Sequence, residues 1–490
     1  MNTPFRNRLI GTITPVSTLY FLLFLFVSNL NAATIHVPAD PSTIQAGIDA
    51  AIPGDTVLVA DGTYTGPGNR DLDFGGKAIV LKSENGPDFS IIDCQGSVAD
   101  PHRGFYFHSG EDTTAIVDGF TIQGGYGPSD GPASRSVGGG IMCDSSSSPS
   151  LINNSISGNS ARNDGGGIAC LNNSNPIISN NTISGNSAGG GGGIRCFQSS
   201  PTISNNTIID NSAQAGGGIF CISNSSPMIT GNTIANNTAV GFGGGILCSG
   251  FSSPVIINNI IKGNSAIGHS LGGGIFCLNS SNATINNNTI IGNSALTGAG
   301  LFSGLNSHPS LENSIIAFNS GGEAVWCDDN SGFSLTCCDI FGNEGGDWVG
   351  CIADQANING NFSADPLFCD TAAGDLHIDG FSPCAAPFSP CGSLVGALDV
   401  GCNSFACGDL NDDDTVSFAD VEALIDFYFR SVPLPVPLKV ADVNCSEHID
   451  LVDIVYLIYF VKGAIPELCC LNTPAPPDRQ RIYTEQVDIK

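Results

Sequence analysis

Two short stretches near the C-terminus space oxygen-bearing side chains in a way that suits a hard cation. The first carries Asp409, Asn411, Asp413, Ser417 and Asp420; the second carries Asp442, Asn444, Ser446, Asp450 and Asp453, and begins 33 residues later. In a loop of about twelve residues these are positions 1, 3, 5, 9 and 12, and the backbone carbonyls of Thr415 and His448 stand at position 7. Oxygen donors at those intervals fit calcium, which takes a large, flexible shell of them. An acidic loop ahead of a helix is the plain alternative, but two copies in tandem favour the cation.

Each loop runs into an apolar stretch of helical period: Val421, Leu424, Ile425 and Tyr428 after the first, Ile454 to Val461 after the second. No convincing helix leads into either loop. Each loop ends in Asp rather than Glu, and position 6 is Asp414 or Glu447 where a tight turn favours Gly. The missing incoming helix and the final Asp make the pair resemble a type I dockerin, from which position 6 departs. The resemblance implies two Ca²⁺ sites, a cohesin-like partner, and partner choice through Phe418, Ala419, Leu451 and Val452, all apolar.

Most of the chain is a repeated phrase, Gly-Gly-Gly-Ile-x-Cys, followed by Pro-x-Ile-x-Asn-Asn-Thr-Ile-x-Gly-Asn-Ser-Ala. Its apolar position falls at Ile141, Ile168, Ile194, Ile219, Ile246, Ile275 and Leu301. A fixed period of 25 to 29 residues, rich in β-branched residues and turn formers, predicts one β-coil per repeat in a solenoid. Ile44, Ile48, Ala51 and Ile52 share a helical face behind Ser42 or Thr43, which predicts a helix closing the open end of the stack. These words, with Gly76-Lys77-Ala78-Ile79 and Ile91-Ile92-Asp93, resemble the start of pectin-lyase-like proteins. The repeats at 138–320 are similar to the polymorphic-membrane-protein-like branch, and Asp365-Pro366-Leu367-Phe368 with Ser382-Pro383-Cys384 looks like its closing turns. The expected fold is mainly β: a right-handed, single-stranded parallel β-helix over 33–405, on the order of 14 coils, then a small α-helical dockerin over 406–470 and a tail, 471–490.

Arg6, Arg8, an apolar run from Val16 to Val27 and the small Ala32 and Ala33 read as a secretory signal over residues 1–32. A formal charge of −29 argues against nucleic acid as a partner and for divalent cations. A secreted or cell-surface location follows. Cys143, Cys170, Cys196, Cys221, Cys248 and Cys277 stand two residues after the repeating apolar position, so they should form an internal column of thiols used as small hydrophobes. Disulfides are expected instead among Cys327, Cys337, Cys338, Cys351, Cys369, Cys384, Cys391 and Cys402. Two Asn columns, starting at Asn154 and Asn159, should supply the left-handed corners and bond from rung to rung.

The residues between the repeating Ile and Cys point outward, since an unpaired Arg195 in a dry core would be prohibitive. That column holds Phe220, Leu247, Phe276 and Phe302, a possible stripe for stacking on sugar faces or docking a partner. Its other reading is cover by a flanking strand. The resemblance also implies lyase or hydrolase activity on polysaccharides, for which Asp130, Arg135, Arg162, Asp164 and Arg195 are the candidate catalytic residues. The favoured function is a polysaccharide-directed binding or surface protein attached through its dockerin; the alternative is a polysaccharide lyase or glycoside hydrolase.

Overall fold

A computed structural model describes residues 32–130, 135–268, 270–402 and 407–465, apart from 412, 414, 435, 437, 445 and 447, together with Leu468. The expected signal, save its last residue, and the 471–490 tail lie outside them.

A repeating coil is four short strands. Ser150–Ile152, Ser155–Ser157, Ser160–Asp164 and Ile168–Leu171 follow one another, and the next coil opens with Ile177–Ser179 paired in parallel on Ser150–Ile152. Repetition stacks four parallel sheets of 12, 11, 7 and 9 strands, here called the first to fourth in the order a coil visits them. The apolar repeat positions stand in register on the fourth sheet, Ile168 beside Ile141 and Ile194, and are fully buried. Ile178, Ile203 and Ile229 on the first sheet and Ile183, Ile208 and Ile234 on the second face them across one continuous core.

The Gly triplet separates the third and fourth sheets, and each glycine has its own reason. Gly165 is left-handed at φ +65°. A Cβ on Gly166 would lie 2.6 Å from the carbonyl oxygen of Gly192 on the next rung, so the chain can turn this tightly only without side chains. The Asn columns divide the work differently from expectation. The left-handed corners belong to the residues just ahead of them, Asn153, Asn180 and Asn205 in one column and Gly158, Gly185 and Asp210 in the other. The ladder residues are buried and bonded: Asn181 Nδ2 donates to Asn206 Oδ1 (3.0 Å) and to the Leu151 carbonyl (2.8 Å), while its Oδ1 accepts from the Asn154 N–H (2.8 Å). Bonding the ladder amides in this way is what lets polar columns sit beside an Ile core.

All six column cysteines are buried free thiols, as are Cys94, Cys338 and Cys384. Burial pushes the Cys143 thiol well above its usual range, as expected of a structural thiol. Cys327–Cys351, Cys337–Cys391 and Cys369–Cys402 are disulfides, all within the region where the repeat degenerates.

Helix α1, Ile44–Ala50, has Thr43 as N-cap and buries Ile44 and Ile48 in the core beside Val37 and Val57 of the first two strands of the first sheet. It stops before Ile52, which is exposed rather than on the buried face. At the other end, α2 (Phe418–Arg430) and α3 (Leu451–Val461) each begin with a capping box, Ser417 with Asp420 and Asp450 with Asp453. Their buried residues Leu424 and Leu457 share one apolar cluster with Ile315 of the second sheet and with Ile378 and Phe388 of the segment that follows the coils.

Candidate functional site

The outward column of the fourth sheet has two different ends. Tyr106 pairs with Met142, and Met142 with Ala169, Arg195, Phe220, Leu247, Phe276, Phe302 and Trp326 in turn. At the N-terminal end a cleft of about 370 Å³ opens over Tyr106. It is lined by Asp71, Asp73, Pro101, His102, Arg103, Tyr106, His108, Pro128 and Asp130.

Three successive rungs build it. Leu72 bridges Phe105, and both are fully buried, so Asp71 and Asp73 on one rung stand beside Arg103 and Tyr106 on the next. Phe105 and Phe107 point inward, which turns Tyr106 and His108 out by strand alternation. The third rung contributes Pro128 and Asp130 from the loop after Thr121–Gln123.

The charged groups are locked together. His102 Nδ1 lies 2.5 Å from Asp71 Oδ2 and its Nε2 3.2 Å from Asp100. His108 Nε2 is 3.3 Å from Asp73, and its ring lies 4.1 Å from that of Tyr106. Arg103, 1% exposed, donates to Asp130 (2.5 Å) and to the Val137 carbonyl (3.3 Å) and lies over the Tyr106 ring at 4.8 Å. Its Nε is buried and has no hydrogen-bond partner among the described residues. Burial, reinforced by Asp144 and Asp130 and opposed by Arg103, raises the Tyr106 hydroxyl above the usual tyrosine range, so it holds its proton at neutral pH.

The five expected catalytic residues divide. Asp130 belongs to the cleft. Asp164 instead gathers Arg135 (2.6 Å) and Arg195 (3.2 Å) into a second knot, in which Arg195 lies 4.1 Å over the Phe220 ring. Arg162 is exposed on the third sheet. Asp71, Asp73, His102, Arg103, Tyr106 and His108 were missed because their coils precede the repeated phrase. The available signal was the alternation His102-Arg-Gly-Phe-Tyr-Phe-His108, with polar residues outward between inward Phe.

The expected open stripe is covered instead. Phe220, Leu247, Phe276 and Phe302 are at most 9% exposed. Phe276 stacks on Phe302 at 4.6 Å, Phe302 on Trp326 at 4.6 Å, and Phe242 of the third sheet on Phe276 at 5.5 Å. The tight glycine corner brings Phe242 and Leu271 over the column, so the rings form a second apolar cluster outside the coil.

A sequence model described as a right handed beta helix region matches residues 77–253 and 233–363. The chain belongs to the right-handed β-helix family. Among solved structures, this β-helix protein is similar to the pectate lyase Pel9A, with 12% identity over 76% of this chain and 97% of that one and a TM-score of 0.46. It is also similar to the PL6 family alginate lyase AlyGC, with 17% identity over 74% of this chain and 57% of that one and a TM-score of 0.39. None of the curated proteins matches it.

The β-helix protein has a second candidate site in its C-terminal loops. Asp409, Asp413 and Asp420 bring carboxylate oxygens within 4.8 Å of one another. Asp420 is fully buried; its Oδ1 accepts from the N–H groups of Leu410 (2.6 Å) and Asn411 (3.1 Å), and its Oδ2 from Ser417 (2.7 Å). Oδ2, with one donor, keeps a lone pair for a cation. Three converging carboxylates repel one another, so an oxygen-seeking divalent cation fits the donor set. Asn411 Nδ2 and the Thr415 hydroxyl both donate to Asp413. In the second loop Asp453 accepts from Asn444 and Asp450, Ser446 N donates to Asp442, and the Ser446 hydroxyl donates to the His448 carbonyl. Burial, with Asp442 and Asp450 adding repulsion, raises the Asp453 carboxyl. Only the first loop draws three carboxylates together among the described residues. Phe418, Ala419, Leu451 and Val452 are all exposed at the starts of α2 and α3.

Proposed function

We propose that this protein cleaves an extracellular polysaccharide, as a glycoside hydrolase or polysaccharide lyase, in the cleft over Tyr106. The observation that carries this reading is the concentration of proton-transfer groups there: two imidazoles held by carboxylates, a tyrosine kept protonated and a buried arginine in one cavity. Both reaction classes need a group that takes a proton and one that gives it. His108, oriented by Asp73, is assigned the first task and the adjacent Tyr106 the second. The test is release of reducing or unsaturated ends from a polysaccharide panel by the full chain. Wild type should release them, and Tyr106→Phe and His108→Gln should each lower the rate by about a hundredfold or more. No release from any polymer removes the enzymatic reading.

The C-terminal module supports a second assignment, attachment. Asp409, Asn411, Asp413, Ser417 and Asp420, with the Thr415 carbonyl, would hold one Ca²⁺; the second loop would hold another through Asp442, Asn444, Ser446, Asp450 and Asp453 with the His448 carbonyl. The bound ion would supply only charge neutralisation, fixing α2 and α3 so that Phe418, Ala419, Leu451 and Val452 face a cohesin-like partner at the surface of the secreting cell. Calorimetry on the full chain should show calcium binding that weakens in Asp409→Ala with Asp420→Ala. Heat-silent titration of the wild type would sink this assignment.

A further inference from the structure

The charge balance of the cleft bears on which polysaccharide enters it. Three carboxylates line it, Asp71, Asp73 and Asp130, and Asp100 reaches His102 from the rim. Against them stand two permanent cations, Arg103, already engaged by Asp130, and Arg70, 3.9 Å from Asp100. With His102 and His108 neutral, four carboxylates face two cations, an excess of two negative charges; only with both imidazoles protonated do the charges balance. A polyuronate brings one more carboxylate with every sugar, which a cleft of net negative charge repels.

The same groups suit uncharged sugars. A sugar hydroxyl both donates and accepts, so it can give its proton to the half-exposed Asp71 or Asp73. The half-buried Tyr106 side chain, with Pro101 and Pro128, gives the cleft apolar lining for the apolar side of a pyranose. Resting on the polysaccharide-cleaving assignment, we infer that the cleft selects a neutral glycan and turns polyuronates away. Elimination is then closed, because it needs a uronate carboxyl to acidify the neighbouring C–H. Cleavage is hydrolysis: water oxygen bonds to the anomeric carbon as the glycosidic C–O bond breaks, one water proton passes to the base, and the acid protonates the leaving oxygen.

The experiment is affinity electrophoresis and calorimetry of the full chain against polygalacturonate, alginate, the carboxyl-reduced form of each, xylan and β-glucan, in calcium and in chelator. At least one neutral polymer should be held roughly tenfold or more tighter than either polyuronate. Asp73→Asn should narrow that gap by weakening the exclusion; if this variant fails to fold, the wild-type comparison decides alone. A polyuronate held as tightly as the neutral polymers, with or without calcium, overturns the inference and leaves the polysaccharide assignment standing. Binding and cleavage of no polymer overturn that assignment, and the inference with it.

Discussion

One column of outward-facing residues runs the length of the fourth sheet, yet its two ends differ in chemistry. From Phe220 to Trp326 the rings are consumed by one another and by Phe242 and Leu271. At Tyr106 the next rung offers Met142 and the previous one acidic side chains, so the ring has no aromatic neighbour along the column and lies under Arg103 at the edge of a cavity. The backbone is the same at both ends. An outward aromatic on a solenoid therefore becomes core or site according to what the adjacent rungs and the flanking sheet place over it, and its own direction does not decide.

Several measurements can break that comparison. Changing Phe220, Phe276 and Phe302 together to Ser should abolish the folded state, seen as loss of the β signal in circular dichroism; a folded variant that had lost only ligand binding would restore the stripe as a binding surface. Asp164→Ala leaves Arg195 and its buried charge without a counter-ion and should cost about 3–5 kcal/mol in denaturant unfolding. Arg195→Met should cost far less, since it removes the charge and keeps the volume over Phe220.

The pH axis separates the half-exposed acids of the cleft from Asp339, which is fully buried in the last strand of the second sheet with Cys384 Sγ and the Ala364 N–H on its oxygens. Burial raises its carboxyl to about 7. A carboxyl raised on folding binds more protons in the native state between the unfolded value near 4 and the folded value near 7. Its contribution is therefore most favourable below about pH 4 and is lost as pH rises to about 7. Asp339→Asn should flatten that slope in thermal melts and raise stability at pH 8; an unchanged slope would assign the titration elsewhere.

On the inner side of the same strand as Phe220, Cys221→Ser should cost about 1–3 kcal/mol by burying a poorly satisfied hydroxyl. Peptide mapping under non-reducing conditions should find the six column cysteines as free thiols. Tyr106→Phe is the smallest change, within about 0.5 kcal/mol of wild-type stability while activity falls, because the ring stays and only the hydroxyl goes. A large stability loss there would make Tyr106 core like its partners down the column.

Much of the rod was legible in the sequence because its physics is periodic. A side chain facing inward on one rung meets the same kind of side chain one period later, so the Ile, Cys and Asn columns could be read by counting, and the direction of Arg195 followed from the cost of an unpaired charge. The oxygen-ligand loops were legible for a similar reason, since a loop that gathers ligands does so at fixed intervals. Counting could not show that Asn153 takes the left-handed corner while Asn154 makes the ladder bonds, because one residue of offset leaves the composition unchanged. The cleft lies further out of reach. Asp71 meets His102 through a bridge between Leu72 and Phe105 in coils that break the period, and Asp130 meets Arg103 across a loop. Contacts between rungs of unequal length depend on how each loop closes, which only the folded chain decides; the cover over the aromatic column likewise depends on the angle between two sheets, a property that no single strand carries.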